Sequence, residues 1–392
     1  MKRFALVGGR VMTDEGLADG LAVEIVDGRI ATVAAEDRLS DDVEQRDLDG
    51  ALLLPGFIDT QVNGGGDVLF NDAPTAETIS RIGAAHRRFG TTGFLPTLIS
   101  DDLAIMEQAL SAMAEARAAG FPGVLGAHIE GPFISYRRQG IHESEHFRPL
   151  DRTAVELLAR DWGGGRVLAT LAPEMVDDEA VQQLAAAGVV LAAGHTDASY
   201  TRMCAAFAHG FTGVTHLFNA MSPLTSREPG VVGAALESDA WCGIIVDGRH
   251  VDPVVLRLAL RSHRLDRFVL VSDAMPCVGG NRSGFVLQGK PISVHDGACY
   301  DAEGRLAGSD LDMATAVRNA VEMLGLDLAT ASVMASGAPA SFLGLDREMG
   351  RITPGLSADL VLLDDDLKVL ETWIAGESDA ATRAAASVVS DA

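Results

Sequence analysis

Eight short apolar runs, each followed by a loop and then by a stretch of helical patterning, recur through the middle of this chain. They begin at Leu52-Leu53-Leu54, Gly93-Phe94-Leu95, Gly123-Val124-Leu125, Val167-Leu168-Ala169, Val189-Val190-Leu191, Gly213-Val214-Thr215, Cys242-Gly243-Ile244-Ile245 and Phe268-Val269-Leu270. Between two of them Leu103, Met106, Leu110 and Met113 fall at three- and four-residue steps, on one face of a helix. Alternation of this kind, from Leu53 to about Leu343, restricts the chain to a parallel sheet covered by helices. Eight repeats predict an α/β fold of the (β/α)8 TIM-like barrel type. A doubly wound open sheet is the alternative, but no glycine fingerprint of a nucleotide site follows the first run.

Both ends of the chain read differently, as short strands. Leu21-Ala22-Val23-Glu24-Ile25-Val26, then Asp27-Gly28, then Arg29-Ile30-Ala31-Thr32-Val33 is a hairpin signal with a two-residue turn. Ala358–Leu363 and Val369–Ile374 repeat that texture near the other end. The expected organisation is therefore a small β-sandwich domain built from residues 1–53 and 348–392, around a barrel of residues 54–347. The last dozen or so residues, rich in Ala and Ser, are expected to be a frayed tail.

Composition narrows the partners. The 392 residues are 47% hydrophobic and carry a formal net charge of −24, which argues against nucleic acid and anionic membrane surfaces. A small anionic substrate stays open, because charges are screened beyond roughly 8 Å and a few local cations override the global sign. No apolar run approaches a membrane span, and the N-terminus shows no signal-peptide pattern, so a cytoplasmic protein is expected. Cys204, Cys242, Cys277 and Cys299 are too scattered for a disulfide framework or a CxxC site. Cys277 lies four residues after Asp273 and is the one to watch.

Four ionisable residues stand where apolar runs end: Glu130, His195, His216 and Asp273. In a barrel, the ends of successive strands converge on the catalytic face. One carboxylate and two imidazoles suit Zn²⁺, and also Fe²⁺, Mn²⁺ or Co²⁺. Singly, Glu130 could cap the turn that follows it, and each histidine could be an ordinary half-buried one. Together, at equivalent positions, they read as ligands of a divalent metal. Asp273 is read as the general base that accepts a proton from an activated water and returns it to a leaving amine. A fourth ligand or a structural N-cap are its other readings. His142, in the long loop after Glu130, can polarise a carbonyl. Arg227 and His250 occupy loops after strands and are candidates for phosphate recognition, since Arg grips phosphate with a bidentate fork. Alone, each reads as a solvated surface residue. His86, His209, His263 and His295 read as structural or surface residues.

These segments together resemble the N-acetylglucosamine-6-phosphate deacetylases of the amidohydrolase superfamily, over nearly the whole chain. The resemblance runs from Pro55-Gly56-Phe57-Ile58-Asp59 through His128-Ile129-Glu130-Gly131-Pro132, Leu171-Ala172-Pro173-Glu174 and Gly194-His195-Thr196. It continues with Thr215-His216-Leu217-Phe218-Asn219-Ala220-Met221, Arg227-Glu228-Pro229-Gly230, Asp247-Gly248-Arg249-His250, Ser272-Asp273-Ala274, Leu306-Ala307-Gly308-Ser309 and Pro354-Gly355-Leu356-Ser357-Ala358-Asp359-Leu360. The opening and closing matches are shared by the whole superfamily. The Thr215–Met221 and Arg227–Gly230 stretches are much more specific.

The resemblance implies a metal held by Glu130, His195 and His216, with Asp273 as acid and base. It implies substrate contacts at Ile141, His142, Asn219, Ala220, Arg227, His250, Leu306, Ala307 and Gly308. It also implies a homodimer in which Arg227, His250 or both are lent by the neighbouring subunit. Many amidohydrolases carry His-x-His after the first strand, where this chain has Gln61-Val62-Asn63. Amides are poor ligands for Zn²⁺, so one divalent metal per subunit is expected, Zn²⁺ ahead of Fe²⁺. The implied reaction is hydrolysis of the acetamide of N-acetyl-D-glucosamine 6-phosphate, a phosphosugar. The rival readings are deamination or cyclic-amide hydrolysis on the same frame, and a metal-free sugar-phosphate-binding protein.

Overall fold

A computed structural model describes residues 2–379. Eight parallel strands pair in the order of the chain: β1 (Phe57–Val62), β2 (Thr91–Ile99), β3 (Gly126–Glu130), β4 (Arg166–Leu171), β5 (Val190–Ala193), β6 (Gly213–Val214), β7 (Trp241–Ile244) and β8 (Phe268–Leu270). A doubly wound sheet reverses strand order at a switch point, and none occurs in this sheet. The first and last strands meet beyond their ends, where Val62 bridges Ala274 in parallel. Asp59, fully buried on β1, accepts from the Ser272 N–H and hydroxyl across that seam. The chain therefore forms a TIM-like barrel, with helices such as Ala76–Arg87 and Leu103–Ala118 outside it. Met106, Leu110 and Met113 of the second helix are fully buried, so its apolar stripe faces the barrel as its spacing predicts.

One strand assignment is corrected. Leu52–Pro55 belongs to no barrel strand; it pairs with Arg10–Thr13 on one side and Leu360–Leu363 on the other, in a six-stranded sheet. The barrel starts at Phe57, whose N–H donates to the Gly90 carbonyl, whereas the Gly56 N–H still reaches back to Asp359. An apolar run does not say which sheet it will enter. Gly56 makes the crossing because a Cβ there would stand 2.2 Å from the Thr92 side chain.

The second small sheet holds Arg29–Ala35, Leu21–Val26, Arg3–Val7 and Glu44–Asp47 in that order. Its hairpin turns at Asp27-Gly28, both at positive φ, the conformation a two-residue turn needs to follow strand twist. Phe4, Leu6, Val23 and Ile25 of this sheet share a buried core with Leu53, Leu360, Leu362 and Trp373 of the six-stranded one. The two ends of the chain thus close one β-sandwich. The Ala- and Ser-rich stretch expected to fray lies outside the described residues.

After β8 comes an element the sequence pattern did not announce, a four-stranded antiparallel sheet of Gly284–Leu287, Lys290–His295, Ala298–Tyr300 and Leu306–Ser309. Its last strand lies beside Asp273, with the Ser309 N–H donating to the Asp273 carbonyl and the Met275 N–H to that of Ser309. Among the described residues, no helix is long and apolar enough to cross a membrane.

Candidate active site

Glu130 is the last residue of β3, while His195, His216 and Asp273 follow β5, β6 and β8 by two or three residues. His195, His216 and Asp273 each take positive φ, at 48°, 31° and 52°. That backbone region is costly for residues other than glycine, and such strain gathers at functional sites. It turns the three side chains off the strand direction and over the barrel mouth.

There they converge. Glu130 Oε1 lies 3.2 Å from His195 Nε2 and 3.0 Å from His216 Nε2, and the two imidazole nitrogens are 3.1 Å apart. All three residues are buried. His195 Nδ1 donates to the Arg138 carbonyl at 2.9 Å, which leaves the Nε2 lone pair facing the other two atoms. A tetrahedral ion with bonds of about 2.0 Å spans ligand edges of about 3.3 Å, close to the triangle observed. The donor set and its spacing therefore fit a divalent cation. Burial raises the Glu130 carboxyl, but the adjoining His195 and His216 outweigh it and hold Glu130 well below the usual range.

The first barrel strand ends on Gln61-Val62-Asn63, and its two amides reach the carboxylates of the site. Gln61 Nε2 donates to both carboxylate oxygens of Glu130, at 3.2 and 3.1 Å, and to Asp273 Oδ1 at 3.2 Å. Asn63 Nδ2 reaches Asp273 Oδ1 at 2.7 Å. The Gln61 amide thus links the two carboxylates, and the Asn63 amide holds the second of them. Asp273 is pushed up to about 6, first by burial and then by the negative charge of Glu130.

His142 is held by β2. The Ser100 N–H points at its Nδ1 from 3.3 Å, and the Ser100 hydroxyl lies 2.7 Å from the same atom. An N–H can only donate, so Nδ1 accepts and the ring proton sits on Nε2. Burial, then the neighbouring His195, press the His142 pKa well below its ordinary value and keep the ring neutral. The result is a neutral N–H donor beside the ligand triangle, with ring centres of His142 and His195 4.3 Å apart.

A cavity of about 160 Å³ joins these groups, lined by Asn63, Ile99, Glu130, Gly140, Ile141, His142, His195, His216, Asn219, Ala220, His250, Asp273, Met275, Leu306 and Gly308. His250 is oriented by Asp247, whose Oδ2 lies 2.6 Å from Nδ1, leaving Nε2 for the cavity. Ala307 is buried next to the lining without being one of its residues, as alternation along Leu306–Ser309 requires. Arg227 is not brought in: it lies exposed in the 223–228 loop, away from the lining. Cys277 does not line the cavity; it packs with Cys299, sulfur to sulfur 3.6 Å, in the apolar cluster that includes Ile99, Ile141 and Met275 of the lining. Sequence reasoning missed Ser100, although the strand-end signal that picked out Glu130 and Asp273 also marks it, directly after Leu98-Ile99.

Known proteins resemble this chain over most of its length. Residues 52–382 match the model of the amidohydrolase family, and residues 3–53 match the NagA composite domain. The chain is 42% identical over 375 residues to the N-acetylgalactosamine-6-phosphate deacetylase of Shewanella sp. (strain ANA-3), covering 94% of each chain. It is 34% identical to the N-acetylglucosamine-6-phosphate deacetylase of Haemophilus influenzae, covering 96% of this chain and 99% of that one. Among solved structures, the N-acetyl-D-glucosamine-6-phosphate deacetylase of Mycobacterium smegmatis in complex with N-acetyl-D-glucosamine-6-phosphate superposes with a TM-score of 0.88. That protein is 34% identical, with 96% of this chain and 99% of that one covered. With the barrel, the sandwich and the strand-end ligand triangle all in place, the chain belongs to the amidohydrolase family.

Proposed function

We propose that this protein is a deacetylase that hydrolyses the acetamide of N-acetyl-D-glucosamine 6-phosphate to D-glucosamine 6-phosphate and acetate, in amino-sugar catabolism or cell-wall recycling. The observation that carries the reading is the convergence of the Glu130–His195–His216 triangle, the Asp273 carboxyl and the His142 Nε2–H on one small cavity. The ion is taken to be one Zn²⁺ per subunit, with Fe²⁺ accepting the same ligands. Glu130, His195 and His216 would hold it, and the amides of Gln61 and Asn63 argue against a second. Bound there, it supplies a polarised carbonyl and a water whose pKa is lowered towards roughly 7.

The chain's own groups do the rest. Gln61 and Asn63 both donate to Asp273 Oδ1, so Oδ2 is the oxygen left to take the water's proton. Asp273 then passes that proton to the sugar nitrogen as the amide bond breaks. His142 Nε2–H donates to the acetyl oxygen as negative charge develops on it. Ile141, Asn219, Ala220, Leu306 and Gly308 shape the sugar's place in the cavity, and His250 faces it. Arg227, exposed in the single chain, would reach a phosphate from the neighbouring subunit of a homodimer. A cytoplasmic location goes with a phosphorylated substrate that does not cross membranes unaided.

N-acetyl-D-galactosamine 6-phosphate is the second reading, favoured by the 42% and 37% identical relatives that carry that name. The two sugars differ only in the C4 hydroxyl, away from the acetamide chemistry. Acetate release by the Zn²⁺-loaded protein should be measured with both phosphosugars and with unphosphorylated N-acetylglucosamine. Turnover of the glucosamine phosphosugar at a higher kcat/KM than the other two supports the primary reading. Preference for the galactosamine epimer moves the assignment to it, and no release from any of them discards the deacetylase.

A further inference from the structure

We infer that Gln288 is a positioning residue for His142, acting from the tip of a hairpin that the barrel itself does not need. The hairpin runs from Gly284–Leu287 to Lys290–His295, with Leu287 opposite Lys290 and Gln288-Gly289 as its two turn residues. Both turn residues have positive φ, 46° and 82°. A turn of this kind favours Asn, Asp or Gly at its first position. Glutamine goes against that preference, and its contacts give the reason.

The Gln288 side chain joins two backbone segments that flank His142. Its Nε2 donates to the Ser100 carbonyl at 2.7 Å, and its Oε1 accepts from the Glu143 N–H at 3.3 Å. Ser100 is the residue whose N–H and hydroxyl meet His142 Nδ1, and Glu143 is the next residue after His142. One amide therefore fixes both the group that sets the His142 tautomer and the peptide that carries the ring. The Lys290 ammonium, 2.5 Å from Glu143 Oε1, ties the same hairpin to the same loop. On the far side the loop is fastened separately, by Arg138 to Asp197 at 2.8 Å and by the His195 Nδ1 bond to the Arg138 carbonyl. Without Gln288, the direct Ser100–His142 bonds remain but lose the clamp that holds their two backbone segments in register, while the His195 end keeps its own. Asparagine satisfies the turn better but is one methylene too short to span both partners.

The catalytic half of this inference rests on the deacetylase reading; the tautomer half does not. The test uses Gln288→Asn and Gln288→Ala in the full-length Zn²⁺-loaded protein, each alone and with His142→Gln. Gln288→Asn should melt no lower than wild type while kcat falls roughly tenfold, the scale of a small misplacement of a catalytic group. KM should stay within about threefold. In the His142→Gln background the same changes should cost less than about twofold, because a residue acting through His142 has nothing left to position. In protein labelled with ¹⁵N-histidine, the His142 signal, identified by its loss in His142→Gln, should show Nε2 protonated in wild type and a tautomer mixture in both Gln288 variants. An unchanged tautomer overturns the inference, as does a full tenfold loss in the His142→Gln background. If wild type releases no acetate, the deacetylase reading falls by itself and the ¹⁵N signal alone decides the role of Gln288.

Discussion

At the scale of single residues, the proposed chemistry turns on the buried carboxyl of Asp273. Asp273→Asn keeps the shape and an oxygen to accept from Gln61 and Asn63 but cannot take a proton, so kcat should fall at least roughly a hundredfold. Zn²⁺ content and melting temperature should not change. An active Asp273→Asn protein would remove the residue from the mechanism. As the proposed base Asp273 works only when ionised, and burial with the charge of Glu130 pushes its carboxyl up to about 6. Activity should therefore be lost as pH falls through that value; a cation that offsets Glu130 moves the limb lower. A pH profile of kcat/KM from 4.5 to 8 should show an acid limb of unit slope at or below about pH 6. A limb at pH 7 or above would point to another base. The ligand triangle makes a separate expectation: wild type should retain one metal ion per chain by elemental analysis, and His195→Ala should retain almost none. Two tightly held ions would mean that the amides of Gln61 and Asn63 give way to a second site. Glu130, His195, His216 and Asp273 were legible in the sequence because each ends an apolar run. The Ser100–His142 bond was not, since the two residues lie 42 positions apart and serine after a strand is commonplace.

At the scale of elements, strand order and helix faces followed from periodicity, and the errors came where periodicity is silent. Leu52–Pro55 and Phe57–Val62 are adjacent apolar runs, and only pairing partners separate the sandwich strand from the barrel strand. The sheet from Gly284 to Ser309 escaped notice because its strands are short, the first two are mostly solvent-facing, and the buried last two carry no long apolar run. Yet it supplies Leu306 and Gly308 to the cavity. Where β3 begins, Gly126 faces Arg166 of β4, and a Cβ on Gly126 would stand 1.8 Å from the Arg166 carbonyl oxygen. Backbone cannot swing aside as a side chain can, so Gly126→Ala has to push β3 and β4 away from each other. Overpacking of this kind costs about 1–3 kcal/mol. A thermal melt should fall by several degrees; a wild-type melt would show that the strands separate without cost.

At the scale of the whole molecule, one chain brings together the candidate metal ligands, the proposed base and the proposed carbonyl donor, but no arginine lines its cavity among the described residues. A protein of net charge −24 needs a local cation to retain a phosphate. Arg227 is the expected source, from a second subunit. Light scattering should return twice the mass of the chain, and Arg227→Ala should raise KM for the phosphosugar at least roughly tenfold, the loss of a charge-assisted pair, with kcat changed far less. A monomer with full activity would end the dimer reading, and an unaltered KM would end that of Arg227.

By itself the sequence determined the barrel, the terminal sandwich and the four residues at strand ends, because hydrophobic periodicity and residue chemistry are local properties. Only the tertiary structure decided which apolar run enters which sheet, that His195, His216 and Asp273 turn inward at positive φ, and that Ser100 fixes the His142 proton. Those are relations between atoms far apart in the chain. Packing sets them, and no pattern along a single strand encodes them.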